Sequence, residues 1–167
     1  IYEMNLKTQK LERLTKYPGI DTAPSYSPDG DFITFESDRS GSQKIYVMNL
    51  KTKKIKRISF GKGKYATPVW SPRGDLIAFT KLLGGEFYIG VMYTDGKGER
   101  VVYKSYLVEG PTWSPNGRVL SFYSQTKFSK GKISSPKIKL VDLTGVNLRE
   151  LITPSDASDP SWSGLLP

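Results

Sequence analysis

The sequence predicts an all-β fold made of repeated four-stranded sheets, and three observations support that prediction. A Pro-x-aromatic-Ser motif recurs, and its first prolines, Pro24, Pro68, Pro111 and Pro160, lie 44, 43 and 49 residues apart. A second element, Ile-Tyr-Val-Met at residues 45–48, returns in phase with the first motif. No segment keeps a helical period of apolar residues. Repeats of roughly 40 to 50 residues are typical of β-propellers, so we expect a β-propeller of four-stranded blades.

Each repeat divides into four predicted strands. The first carries the aromatic residue and, in three copies, ends in Ser-Pro-x-Gly, which favours a type I turn. The second has a small residue between large ones, which suits sheets that pack face to face. The third is the Ile-Tyr-Val-Met element, and the fourth is rich in Lys and Arg, as an exposed edge strand should be. The second strands are predicted at residues 32–35, 76–79 and 119–122, and the fourth at residues 11–14, 55–58, 100–102 and 149–152.

The phase of the repeat predicts a partial ring of about three and a half blades. Residues 1–15 supply the two outer strands of one blade, residues 16–59, 60–103 and 104–153 supply three whole blades, and residues 154–167 supply a closing inner strand. Such an arc exposes apolar blade faces at both ends, and large apolar patches usually mark association. We therefore expect the isolated chain to self-associate.

Composition excludes several classes of function. The chain has no His and no Cys, so a Ser–His hydrolase, a Cys nucleophile and a thiolate metal site are excluded within it. We predict no catalytic residue, no metal site and no cofactor. No apolar stretch approaches the roughly 18 residues of a membrane-spanning helix, so we expect no direct membrane insertion.

The charge balance raises the hypothesis of a nucleic-acid partner. The net charge is +9, and a dense basic run lies at residues 51–57. That run contains no aromatic residue on which a base could stack. It also lies on a predicted hairpin tip, where lysines mostly stay solvated and discourage edge pairing. We therefore predict no nucleic-acid partner.

One position of the repeat is aromatic in every copy, as Tyr26, Trp70, Trp113 and Trp162. Such residues can form a ligand-binding cage, but one aromatic in the same place of each blade fits packing between blades better. We predict that these four residues belong to the structural core of the repeat. The third blade also carries a longer, lysine-rich loop at residues 125–137, which either binds something or is a tolerated insertion.

The Pro-x-Trp-Ser-Pro-x-Gly repeat followed by the Ile-Tyr-Val-Met strand resembles the C-terminal propeller of the TolB family over the whole chain. Near the end, Trp162-Ser163 is followed by only a few residues, as in that family, with Gly164 where the family usually has proline. The resemblance implies a six-bladed propeller and an N-terminal α/β domain that is absent here. It also implies a non-enzymatic periplasmic protein of the Tol–Pal system. Such a protein binds the lipoprotein Pal and other Tol components, and it supports outer-membrane integrity and invagination during cell division.

The resemblance further implies a partner-binding face. In the family, Pal docks where the connections between blades gather around one mouth of the central channel. Those connections are predicted here as loops at residues 19–23, 64–67, 107–110 and 155–159. The candidate partner-binding residues are Asp21, Thr22, Ala23, Ala66, Thr67, Glu109, Gly110, Ser158 and Asp159. The alternative is that each is an ordinary turn residue, since turns favour Asp, Thr and Gly.

A second function is also consistent with the repeat. Similar repeats occur in propellers that gate substrate entry beside a serine peptidase domain, whose catalytic residues would all lie outside this chain. Sequence beyond Pro167 would distinguish the two functions.

Overall fold

The computed structural model describes residues 1–163, which form fourteen β-strands and one short 3₁₀ turn at Ser129–Gly131. The strands are β1 (Tyr2–Met4), β2 (Leu11–Arg13), β3 (Asp21–Tyr26), β4 (Phe32–Ser37), β5 (Lys44–Asn49), β6 (Ile55–Arg57), β7 (Lys64–Trp70), β8 (Leu76–Leu83), β9 (Glu86–Tyr93), β10 (Arg100–Ser105), β11 (Leu107–Trp113), β12 (Val119–Gln125), β13 (Lys137–Asp142) and β14 (Arg149–Leu151). No helix in the described part of the chain is long and apolar enough to cross a membrane.

The strands form antiparallel sheets in which neighbours in sequence are neighbours in space. Strands β3–β6, β7–β10 and β11–β14 make three four-stranded sheets, called blades 1, 2 and 3, and β1 pairs with β2 in a two-stranded sheet. The first strand of each blade, its inner strand, packs against the adjacent blade, β3 against β7 and β7 against β11. The predicted all-β propeller fold is confirmed.

The Ser-Pro-x-Gly segments form the predicted tight turns. In each turn the glycine N–H donates to the serine carbonyl three residues earlier, at 2.9 Å for Gly30, 2.9 Å for Gly74 and 2.8 Å for Gly117. These glycines have φ between 66° and 79°, a left-handed conformation that glycine adopts without a steric penalty. The serine side chain adds a second link, because Ser27 Oγ accepts the Phe32 N–H at 2.9 Å. The turns lie at the end of the blades called here the lower end.

The hydrophobic core lies between blades as well as within them. One cluster joins Ile45 and Ile58 of the blade 1 repeat to Trp70, Ile77 and Phe79 of blade 2. A second cluster joins blade 2 to Trp113, Leu120 and Phe122 of blade 3. Full burial of an aliphatic or aromatic side chain contributes roughly 1.5–3 kcal/mol, so each blade depends on its neighbour for much of its stability.

Two of the sequence predictions differ from the structure: the loops between blades and the closing inner strand. The connections predicted as loops at residues 19–23, 64–67 and 107–110 are largely strand, because the inner strands begin at Asp21, Lys64 and Leu107. The predicted closing inner strand forms no strand over residues 154–163. An inner strand requires a second strand to pair with, and the described chain provides none beside this segment. The rest of that predicted strand, residues 164–167, lies outside the described residues.

Candidate functional site

Each inner strand contains a β-bulge at its proline. In blade 1, Thr22 faces Glu36 and Ser25 faces Thr34, so Ala23 and Pro24 together oppose one residue, Phe35. Blades 2 and 3 show the same irregularity at the same place in the repeat, between Ala66 and Val69 and between Glu109 and Thr112. Proline has no N–H to give to the ladder and is confined in sheets to edges and bulges. The recurring proline therefore explains why the bulge recurs.

The residue before each of the four repeat prolines has a left-handed backbone. The φ angles are 51° at Ala23, 45° at Thr67, 65° at Gly110 and 50° at Asp159. Only one of the four is glycine, although this region of φ is costly for residues with a Cβ atom and most of all for a β-branched one. Strained backbone of this kind costs about 1–3 kcal/mol per residue and clusters at functional sites. We call these four residues the pre-proline rim; it lies towards the upper end of the blades, where the inner strands begin.

Thr67 is held in place by the blade before it. Its N–H donates to Glu36 Oε2 at 2.8 Å, across the interface between blades 1 and 2. Its hydroxyl lies 2.8 Å from the Thr80 hydroxyl on the adjacent strand of its own blade. The bulge takes the Thr67 N–H out of the ladder, and a buried N–H without an acceptor is costly. The Glu36 carboxylate supplies that acceptor.

The neighbourhood of the rim is acidic. Glu36 is only 7% exposed, and burial together with the negative charge of Glu109 raises the pKa of its carboxyl, although the hydrogen bond from Thr67 opposes the change. Tyr123 donates to Glu109 Oε2 at 3.3 Å. The pKa of the Tyr123 hydroxyl is raised by burial, by Glu109 and by the charge of Asp159. A Cβ added at Gly110 would lie 3.9 Å from Asp159 Oδ1, so the rim positions of blade 3 and of the C-terminal segment are adjacent.

Asp21 lies apart from this group. Both of its carboxylate oxygens accept from Arg39 Nη2 at 2.8 Å, and its side chain is 3% exposed. Burial alone would raise the pKa of the carboxyl, but hydrogen bonds from Ser37 and Arg39 hold it below its ordinary value. The Arg39 guanidinium in turn lies over the rings of Phe35 and Tyr46. The Asp21 side chain is therefore committed to blade 1 and does not face the rim.

The remaining predicted residues fall into two groups. Glu109, Gly110 and Asp159 lie close to one another near Tyr123, and Thr67 is bonded to Glu36, whose pKa the charge of Glu109 helps to raise. Thr22 and Ser158 are exposed, and Ala23 and Ala66 are half-buried.

Sequence reasoning missed three residues that adjoin the rim: Glu36, Thr80 and Tyr123. They face Thr22, Ala66 and Glu109, respectively, across the first two strands of each blade. Each follows the fully buried phenylalanine opposite the bulge. In each of the three blades the phenylalanine is followed directly by a residue with a polar group, and this pattern could have identified the three residues from the sequence.

The aromatic position of the repeat lies at the lower end. Trp70 and Trp113 are buried at 9% and 6% exposure, whereas Tyr26 is 50% and Trp162 39% exposed. Both buried residues join blades: the backbone N–H of Trp70 donates to Ser25 Oγ at 3.0 Å, and the ring Nε1 of Trp113 donates to the Val69 carbonyl at 3.0 Å. All four aromatic residues line one depression of about 380 Å³. The two exposed rings lie in the first and last copies, which each have one neighbouring copy in the repeat.

Comparisons with known proteins place the fold in one family. Residues 1–166 match the family model described as the TolB beta propeller domain. The Tol-Pal system protein TolB of Zymomonas mobilis subsp. mobilis is 58% identical over 85 residues, which cover 51% of this chain and 18% of that protein. The match thus spans less than a fifth of that relative.

Solved structures show the same architecture. The crystal structure of TolB from Acinetobacter baumannii matches with a TM-score of 0.77 at 26% identity, covering 94% of this chain and 39% of that one. A puromycin-hydrolyzing peptidase of Mycobacterium tuberculosis matches with a TM-score of 0.66 at 18% identity, covering 91% of this chain and 27% of that one. At that identity the peptidase shows the fold alone.

Proposed function

Because this chain belongs to the TolB beta-propeller domain family, we propose that it is a non-enzymatic protein-interaction module of the Tol–Pal system in the periplasm. In this proposal it binds the peptidoglycan-associated lipoprotein Pal, and with other Tol components it supports outer-membrane integrity and invagination during cell division. Support comes from the family match and from the TolB relative named as a Tol-Pal system protein.

The pre-proline rim is the observation that carries the binding proposal. Backbone strain of about 1–3 kcal/mol per residue persists only where the surrounding structure stabilises it, and the rim repeats that strain at the same place in three of the four copies, at Ala23, Thr67 and Asp159. A rigid rim of small and acidic side chains gives a partner a preformed surface, so little conformational entropy is lost on binding.

A peptidase-associated propeller is the second candidate, and only the shared fold favours it. The Mycobacterium tuberculosis peptidase is 18% identical to this chain, far below the 58% of the TolB relative over its aligned part. A gating propeller would give no saturable binding to Pal, so the same experiment separates the two.

The test is calorimetric titration of the 167-residue chain with the soluble domain of Pal. Two exposed positions near the rim are changed together, Thr22→Arg and Ser158→Arg. The matched control is Thr52→Arg with Val146→Arg, two exposed positions in the β5–β6 and β13–β14 turns at the lower end of the blades. We expect the rim variant to bind at least about tenfold more weakly, a loss of about 1.4 kcal/mol. Equal affinities for the rim variant and the control would refute the rim as the binding site, and no binding by the unaltered chain would refute the proposal.

The isolated chain should also self-associate. Tyr2, Met4 and Leu11 on the two-stranded sheet are each more than half exposed, and exposed apolar strand surface favours association. Light scattering should therefore give a mass well above the 18.7 kDa of the single chain. A stable monomer at micromolar concentration would contradict this expectation.

A further inference from the structure

A groove between blades 2 and 3 opens at the upper end of the blades, lined by the outer strand of blade 2, the connection to blade 3 and the start of the β12–β13 loop. It encloses about 620 Å³, and its lining includes Tyr103, Lys104, Tyr106 and Lys127. On the side of blade 2 the groove is bounded only by the tight turn between β8 and β9, whose residue Gly85 lines it. The other wall is the long loop between β12 and β13. The groove therefore arises from a difference in loop length between two otherwise similar blades.

The long loop is folded into a fixed shape. Lys127 and Ile133 form an isolated antiparallel bridge, and the Phe128 N–H donates to the Lys132 carbonyl at 2.7 Å. The base of the loop is fastened by Gln125 Nε2, which donates to the Ser134 carbonyl at 2.9 Å. A preorganised wall loses less entropy on binding than a mobile loop would.

The lysines of this loop carry charge that the chain does not neutralise. Lys127, Lys130 and Lys132 are exposed, and none of them forms an ion pair within residues 1–163. The Lys127 ammonium lies 5.4 Å from the centre of the Tyr106 ring, so it is held above the groove. Lys104, in contrast, pairs with Glu86 at 2.7 Å. The groove thus combines unpaired positive charge at its upper wall with tyrosine rings in its lining.

We propose that this groove is a second docking surface, which binds an extended acidic segment of a protein partner. Carboxylates of such a segment pair with Lys127, which lines the groove, and with Lys132 on the same bridged loop, and the adjoining part of the segment packs on the rings of Tyr103 and Tyr106. Tyrosine is well suited to this role because it offers apolar area and a hydroxyl with few rotatable bonds. The groove is separate from the pre-proline rim and involves none of its residues.

The lining favours a peptide over a polyanion. Because Lys104 pairs with Glu86, Lys127 is the one unpaired cation among the described lining residues, which is little charge for a strand of phosphates. The lining residues also include no arginine within the described chain, whereas the planar fork of arginine is the group best matched to phosphate.

The experiment measures fluorescence anisotropy of a labelled Glu- and Asp-rich peptide of about twelve residues, long enough to cross the groove when extended. A matched peptide carries Gln and Asn instead. The test variant is Lys127→Glu with Lys132→Glu, and the control is Lys51→Glu with Lys54→Glu in the exposed β5–β6 turn. Both double variants change the net charge equally, so the control measures the general electrostatic attraction.

We expect the acidic peptide to bind the loop variant about tenfold more weakly than the unaltered chain, and the control within about twofold. Tyr106→Ala should weaken binding by a further several-fold, with the thermal midpoint checked for each variant. Equal losses in both double variants, or equal binding of the Gln/Asn peptide, would overturn the proposal. So would binding of single-stranded DNA or anionic vesicles that depends on the same lysines while the acidic peptide fails to bind.

Discussion

Replacing Glu36 tests whether the neighbouring blade stabilises the strained rim. In Glu36→Ala the Thr67 N–H loses an acceptor that lies 2.8 Å away. A hydrogen bond to a charged group contributes about 1.5–3 kcal/mol, and a buried donor left unsatisfied costs about 1–3 kcal/mol. The substitution also removes the desolvation penalty of a buried carboxylate, which offsets part of this cost. We therefore expect the free energy of unfolding to fall by about 2 kcal/mol at neutral pH. Glu36→Gln keeps a carbonyl acceptor in place and should lose less.

The pH dependence gives the same carboxylate a second, independent readout. Burial and the charge of Glu109 raise the pKa of Glu36 above its ordinary value of 4.5. Between that value and the raised one, the folded chain binds more protons than the unfolded chain, so this group makes stability fall as pH rises. Glu36→Gln does not titrate there. The stability of the unaltered chain relative to the Gln variant should therefore be greater near pH 4 than near pH 7.

Urea denaturation followed by tryptophan fluorescence measures both effects, since Trp70 lies directly beside this interface. Thr52→Ala in the exposed β5–β6 turn serves as a control for a surface substitution. The reasoning fails if Glu36→Ala unfolds at the same urea concentration as the unaltered chain. It also fails if the gap to Glu36→Gln stays constant or widens in favour of the unaltered chain as the pH rises.

Three further substitutions test other parts of the fold by the same denaturation assay. Asp21→Asn leaves Arg39 without its carboxylate and should cost about 2 kcal/mol at neutral pH. Because the pKa of the Asp21 carboxyl is lowered from 3.8, the difference should diminish as the pH falls from 3.8 through the lowered pKa. Gly96→Ala should cost at least about 2 kcal/mol, since φ is 92° and the new Cβ would lie 2.0 Å from the Ile58 carbonyl oxygen. Trp113→Phe removes one inter-blade hydrogen bond and should cost about 1 kcal/mol. For each of the three substitutions, an unchanged free energy of unfolding would contradict the corresponding argument.

The blades could be predicted from the sequence because their signals are local and repeated. The Ser-Pro-x-Gly turn fixes where the first strand ends, and Phe32 begins the second strand at the expected place. The third strands at Lys44–Asn49 and Lys137–Asp142 also follow their motif closely. Each of these depends on residues within about ten positions of one another, and four copies average out the exceptions in any one of them.

The rim could be predicted only in part because its geometry depends on distant residues. The proline identified the position, yet proline was interpreted as the end of a loop, whereas the chain continues as a bulged strand through Thr67. The acceptor for the Thr67 N–H is Glu36, 31 residues earlier and in another blade. Asp21 was predicted as a partner-binding residue because it lies shortly before the proline, but its pairing with Arg39 depends on a tertiary contact that no local pattern carries.

The bulge explains why a symmetric scaffold can present an asymmetric surface. Each of the three blades must accommodate a proline that cannot join the ladder, so each carries the same bulge, with a left-handed residue before the proline. The residue that faces the start of each bulge from the second strand differs, however: Glu36, Thr80 and Tyr123 occupy that place in the three blades. The rim residues differ as well, as Ala23, Thr67, Gly110 and Asp159, so a partner bound at the proposed site would meet the same backbone but side chains of different size and charge in each copy. Only one rotation of such a partner would match that order, so in this proposal the scaffold supplies rigidity while the rim side chains supply orientation.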